Sequence, residues 1–235
     1  MCFACSPAKL DRRRFLATLA LTSAALAVPA ARAGETPRTT LTPDQALAAL
    51  QEGNARFRTG NMPPSVLDPA RRAALAAGQA PFAAILTCSD SRTAPELLFH
   101  AGLGEIFVVR NAGNVADTAA IGSLEYAVAA LGVPLVMVLG HEFCGAIGAA
   151  VALAERDTDL PGSLRDMLLP MLPAALVAIR AGGDKTERAV VENVTRMRDR
   201  LLRVSPVMAA ATAAGRLKVV GARYDLEQSE VTLVA

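Results

Sequence analysis

Pro81-Phe-Ala-Ala-Ile-Leu-Thr-Cys88-Ser-Asp90-Ser-Arg92 and, further along, Pro134-Leu-Val-Met-Val-Leu-Gly-His141-Glu-Phe-Cys144 decide how this chain reads. Each stretch opens on an apolar run too short for a helix and bounded by turn residues. Such runs read as strands buried on both faces, here over Pro81–Thr87 and Pro134–Leu139. Ile106–Val109 reads the same way. Between and after the runs lie segments with helical spacing, so strands alternate with helices. That pattern predicts an α/β fold: about four parallel strands in a central sheet, a C-terminal antiparallel edge strand, and helices on the faces. Ligands of such sheets gather at the carboxyl ends of the strands, where both quoted runs place a cysteine.

Cys88, Cys144 and His141 together offer two soft sulfurs and an imidazole. This is the ligand set of a tetrahedral zinc with one position left open, one ion per chain. His141 and Cys144 are three residues apart, and the spacing predicts that they share a face on the first turn of a helix. The helix N-terminus would also favour a thiolate at Cys144. Asp90 stands two residues from one sulfur. It either takes the fourth zinc position, giving a closed site, or pairs with Arg92 and leaves that position to water. An Asx-turn beside a surface arginine is the bland reading of the same two residues. A Cys88–Cys144 disulfide or redox pair is the bland reading of the sulfurs, and it explains neither Asp90 nor His141.

The first 33 residues read as a leader rather than as fold. Arg12-Arg13-Arg14-Phe15-Leu16 precedes a weakly apolar run to Val28, and Ala31-Arg32-Ala33 follows. That is the layout of a cleaved secretory signal, and the arginines resemble a twin-arginine signal. The run is too short to span a bilayer. The expectation is therefore a signal peptide over 1–33 and a single domain over 34–235. Export of the folded protein by the twin-arginine machinery would leave it periplasmic or secreted, with no membrane span. Of 24 basic and 22 acidic residues, the leader holds five basic and one acidic, leaving 19 against 21, a net of −2. Nothing in that remainder forms a nucleic-acid footprint.

Thr42-Pro43 opens a predicted helix that stops at Gly60, and Asp68-Pro69 opens another ending near Gly78. Shorter helical patterns cover Ala94–Phe99 and Thr118–Ala130. Longer ones run over Leu164–Arg180 and Lys185–Arg203, and Ser205-Pro206 caps one more. A helix is expected directly after His141. Leu217–Leu226 and Val231–Val234 read as a closing strand pair.

These residues resemble the β-class carbonic anhydrases through Cys-x-Asp-x-Arg and His-x-x-Cys-Gly. The likeness extends to Gln79-Ala-Pro81, Pro95-Glu-Leu-Leu-Phe99, Gly102-Leu-Gly104, Val108-Val-Arg-Asn111-Ala-Gly-Asn114 and Gly122-Ser-Leu-Glu-Tyr126, across roughly residues 42–235. The resemblance implies the β-carbonic anhydrase fold, zinc on Cys88, His141 and Cys144, and Asp90–Arg92 as the catalytic dyad. It implies reversible hydration of CO2 to bicarbonate and a proton by metal-bound hydroxide. Gln79, Phe107 and Tyr126 stand where a plant-type subgroup lines its substrate pocket. The family's dimers, wrapped by N-terminal helices, imply a homodimer or a higher homo-oligomer. Glu142 and Phe143 stand where the family often has small residues. His100 stands where it often has an aspartate, and reads as a surface residue. Ala130, one turn after Tyr126, cannot relay protons. The competing readings are hydrolysis of CS2 or COS on the same scaffold and a zinc-binding protein without turnover.

Overall fold

Continuous burial of the two central strands sets the sheet. The computed structural model describes residues 37–61, 69–156 and 159–235. The expected leader over 1–33, the loop at 62–65 and the cap at Asp68 lie outside the described residues. The strands are β1 (Ala83–Cys88), β2 (Ile106–Asn111), β3 (Leu135–His141), β4 (Lys218–Tyr224) and β5 (Val231–Val234), in the order β2-β1-β3-β4-β5. β1 pairs in parallel with β2 and with β3, β3 pairs in parallel with β4, and only β5 runs antiparallel. Every residue of β1 and β3 is buried, as two-faced burial requires.

The two faces divide the core. Ala84, Leu86, Cys88, Val136 and Val138 face one apolar cluster. Ala83, Ile85, Leu135, Met137 and Leu139 face the other. The second cluster is covered by helix α1 (Pro43–Thr59), through Ala46 and Leu50. Thr42 and Gln45 close a capping box at its start, and Gly60 ends it in the left-handed conformation, φ 68°. Next in the chain come α2 (Pro69–Ala77) and the short α3 (Pro95–Leu98). The first face carries α4 (Thr118–Ala129) and α5 (Gly145–Arg156), then α6 (Leu164–Leu168), α7 (Leu172–Ala181), α8 (Lys185–Val204) and α9 (Pro206–Ala213).

Two elements differ from the expectations. The helix expected over Leu164–Arg180 is split into α6, a 3₁₀ turn at Leu169–Met171 and α7. Pro170 and Pro173 withhold the N–H groups that a continuous helix needs. The helix expected directly after His141 begins only at Gly145, because β3 continues through His141, which pairs with Tyr224 of β4. No helix among the described residues is long and apolar enough to cross a membrane.

Two glycines set how closely α8 approaches the sheet. A Cβ on Gly140 of β3 would lie 2.6 Å from Val194 Cγ2, and one on Gly221 of β4 would lie 2.7 Å from Val194 Cγ1. Val194 therefore sits in a notch formed by missing side chains on neighbouring strands.

Candidate metal centre

β1 and β3 are neighbours, so their carboxyl ends lie side by side and bring Cys88 next to His141. His141 does not share a helical face with Cys144, contrary to the expectation. A tight turn through Glu142 and Phe143, the latter at φ 53°, folds Cys144 back instead. The Cys144 carbonyl accepts the first helical bond of α5 from Gly148 N–H at 2.9 Å. Cys144 is thus the N-cap, and its sulfur stands at the helix N-terminus.

Cys88 Sγ and Cys144 Sγ are 3.9 Å apart, and both cysteines are free. A disulfide needs about 2.05 Å. Two sulfurs at about 2.3 Å from a tetrahedral zinc lie about 3.8 Å apart, so the observed spacing is that of a ligand pair. His141 is buried, and its Nδ1–H donates to the Glu142 carbonyl at 2.8 Å. That bond fixes the tautomer and leaves a lone pair on Nε2. Nε2 is buried with no hydrogen-bond partner, and the ring offers a ligand nitrogen within 4.8 Å of both sulfurs. An orphaned acceptor beside two sulfurs is what a metal ligand looks like without its ion. The three side chains therefore fit zinc.

The sulfurs are electrically unequal. Cys88 is drawn down to about 4, first by the hydrogen bond from Cys144 and then, against burial, by His141 and the Gly113 N–H. Cys144 is pushed up, first by that same bond to Cys88 and then by burial, although the Ile147 and Ala146 N–H groups of the helix terminus oppose the rise. Two thiolates this close repel, and a dication between them removes the repulsion.

Asp90 takes the paired arrangement. Arg92 Nε donates to Oδ1 at 2.9 Å and Nη2 to Oδ2 at 2.8 Å, while the Arg92 backbone N–H donates to Oδ1 at 3.0 Å. The Arg92 fork holds the Asp90 carboxyl well below the ordinary carboxylate range. Oδ2 remains 3.9 Å from His141 Nε2, facing the cluster without joining it. Neither side chain between the later ligands enters the site. The Glu142 carboxylate pairs with Arg223 at 3.2 Å, and the Phe143 ring is exposed.

The loop after Cys88 is held by residues to which the sequence reading gave no part. Thr93 Oγ1, fully buried, donates toward the carbonyls of Asp90 at 2.9 Å and Cys88 at 3.3 Å. Arg110 bonds the same two carbonyls, Nε to Cys88 at 3.0 Å and Nη2 to Asp90 at 2.7 Å. Arg110 lay within a quoted motif. Thr93 carried no local signal.

The expected substrate residues are placed elsewhere in the chain. Phe107 and Tyr126 do meet, with ring centroids 6.3 Å apart. Phe107, however, pairs with Ala84, four residues before Cys88 on β1, or about 13 Å along the strand. Gln79 is exposed in the loop that leads into the amino end of β1. The metal centre lies at the carboxyl end, so the fold does not bring this trio to the cysteines of its own chain. His100 is half-buried and left-handed, φ 46°, just after α3.

Comparison with known proteins agrees with this geometry. The family model described as Carbonic anhydrase matches residues 83–231. Carbonic anhydrase 2 of Mycobacterium tuberculosis is 42% identical over 192 residues, covering 81% of this chain and 92% of that protein. A carbonic anhydrase of Mycolicibacterium smegmatis is 39% identical over 191 residues, 81% of this chain and 93% of the relative. Among solved structures, the β-carbonic anhydrase CcaA superposes with a TM-score of 0.65 at 29% identity, covering 80% of this chain and 94% of that one. A structure from a study of two tetrameric β-carbonic anhydrases of Sordaria macrospora gives 0.63 at 26% identity, covering 82% and 98%.

Proposed function

The chain belongs to the β-class carbonic anhydrase family, and from that premise we propose how its residues hydrate CO2 reversibly to bicarbonate and a proton. The observation that carries the reading is the convergence of Cys88 Sγ, Cys144 Sγ and the unpartnered His141 Nε2, with a forked Asp90 beside them. Held by these three side chains, zinc would supply a Lewis acid able to bring the pKa of water to about 7.

The protein's own groups do the rest. His141 is held in one tautomer by the Glu142 carbonyl, which leaves the Nε2 lone pair free for the metal it would bind. Asp90, kept ionised by Arg92, can only accept a hydrogen bond. It therefore orients the nucleophilic oxygen by its remaining proton and leaves a lone pair for the carbon of CO2. Thr93 and Arg110 fix the carbonyls on either side of Ser89 and so keep sulfur and carboxylate in register.

Gln79, Phe107 and Tyr126 serve the substrate pocket from a second copy of the chain. The place of Phe107 on β2, far from its own cysteines, supports that reading, as do the tetrameric β-carbonic anhydrases of Sordaria macrospora. The residue types of the trio are those that the plant-type resemblance calls for. The leader pattern over 1–33 supports export by the twin-arginine machinery and a periplasmic or secreted protein. The site is tested by metal analysis with stopped-flow CO2 hydration on the wild type and Cys144→Ala. The wild type binds one zinc per chain and is active, and the variant loses both. A variant that keeps zinc and full activity would remove Cys144 from the ligand set.

A further inference from the structure

One stripe of α8 does work that packing alone does not explain. Asn193, Met197 and Arg200 stand at i, i+4 and i+7 on one helical face, and each bonds the backbone of the loop after β2. Asn193 Nδ2 donates to the Gly113 carbonyl at 2.9 Å. Met197 Sδ accepts the Ala116 N–H at 3.2 Å, and Arg200 Nε donates to the Ala116 carbonyl at 2.9 Å. The N–H of the same Gly113 donates to Cys88 Sγ at 3.4 Å.

Gly113 lies at φ 72°, and a Cβ there would stand 2.3 Å from Met171 Sδ, so glycine is required. A glycine has several accessible backbone conformations, and only some turn its N–H onto the sulfur. The Asn193 amide selects one by fixing the carbonyl on the other side of the same residue. Asn193 is 1% exposed, and its Oδ1 has no partner. That buried, unpaired acceptor carries a desolvation cost which an apolar side chain of similar size would avoid. The notch at Gly140 and Gly221 seats the next residue, Val194, and so brings Asn193 within reach of the loop.

We propose that Asn193 is a positioning residue for the metal ligand Cys88. It holds Gly113 so that its N–H donates to the ligand sulfur, which keeps that sulfur an oriented thiolate able to hold the ion. Hydrogen bonds of this kind around a ligand tune both metal affinity and the acidity of what the metal binds. The proposal rests on the reading of Cys88, His141 and Cys144 as metal ligands.

The full chain loaded with an NMR-active cadmium isotope, and separately with cobalt, tests it. The Gly113 amide proton shows scalar coupling to cadmium through the hydrogen-bonded sulfur. In Asn193→Leu that coupling disappears, the thiolate-to-cobalt charge-transfer band shifts, and zinc passes to a chelator about 10- to 100-fold faster. Leu201→Ala, a buried change elsewhere on α8, lowers the unfolding midpoint and leaves the band in place. Should Asn193→Leu not fold, the wild-type coupling alone decides. No coupling at Gly113 with cadmium bound overturns the proposal, as does an Asn193→Leu protein with unchanged band and zinc release. Absence of any thiolate–cobalt band in the wild type overturns the metal-ligand reading beneath it.

Discussion

Asp90 accepts three bonds from the single residue Arg92, at 2.8 to 3.0 Å, and this sets what it can do near the metal. Its carboxyl is depressed, so the paired state is whole above the ordinary carboxylate value of about 4 and is lost only as pH falls below that. Carbon-13 NMR of the Asp90 carboxyl should therefore show no titration between about pH 8 and pH 4.5. A midpoint above 5 would mean that the fork opens in the working range. Asp90→Asn keeps the shape and removes the obligate acceptor. Zinc content should stay at the wild-type level while CO2 hydration falls about 100-fold, and unchanged activity would take Asp90 out of the reaction. Cys88, His141 and Cys144 were legible because sulfur and imidazole are scarce in this chain and fall at ligand spacing. Thr93 and Asn193 were not legible. A threonine in a loop and an asparagine in a helix look solvent-facing until the fold places them against a carbonyl.

The strands were legible as elements because β1 and β3 are buried on both faces and leave continuous apolar runs. The turn between His141 and Cys144 was not. Residues 141–150 suit a helix locally, and pairing of His141 with Tyr224 overrides that preference through a strand far away in sequence. Gly140 and Gly221 carried no sequence signal either, since their role depends on where Val194 of α8 lands. Gly221→Ala places a Cβ 2.7 Å from a core methyl and should cost about 1–3 kcal/mol in urea unfolding. Adding Val194→Ala should recover part of that loss, because the clash is with this one side chain. Strict additivity of the two changes would show that the notch does not set the α8–sheet distance.

Across the whole molecule, the cysteines and His141 stand at the carboxyl end of the sheet, while Phe107 pairs with Ala84 four residues before Cys88 and Gln79 lies before β1. If copies exchange these groups, Cys144→Ala chains mixed and reassembled with Gln79→Ala/Phe107→Ala chains should regain CO2 hydration. The mixed pair contains one site with intact ligands and an intact pocket, whereas a site built within one chain would stay inactive in every combination. Such an arrangement could not be read from one sequence, because motif order along a chain says nothing about which copy completes the pocket. Cys88, His141 and Cys144 would hold zinc beside an ionised Asp90, and CO2 hydration depends on that pairing. Stopped-flow CO2 hydration by the zinc-loaded protein, measured across neutral pH in ample buffer, tests this dependence most directly. The account predicts rapid hydration that rises with pH around an apparent pKa near 7. Zinc-loaded protein with no hydration at any pH would contradict it.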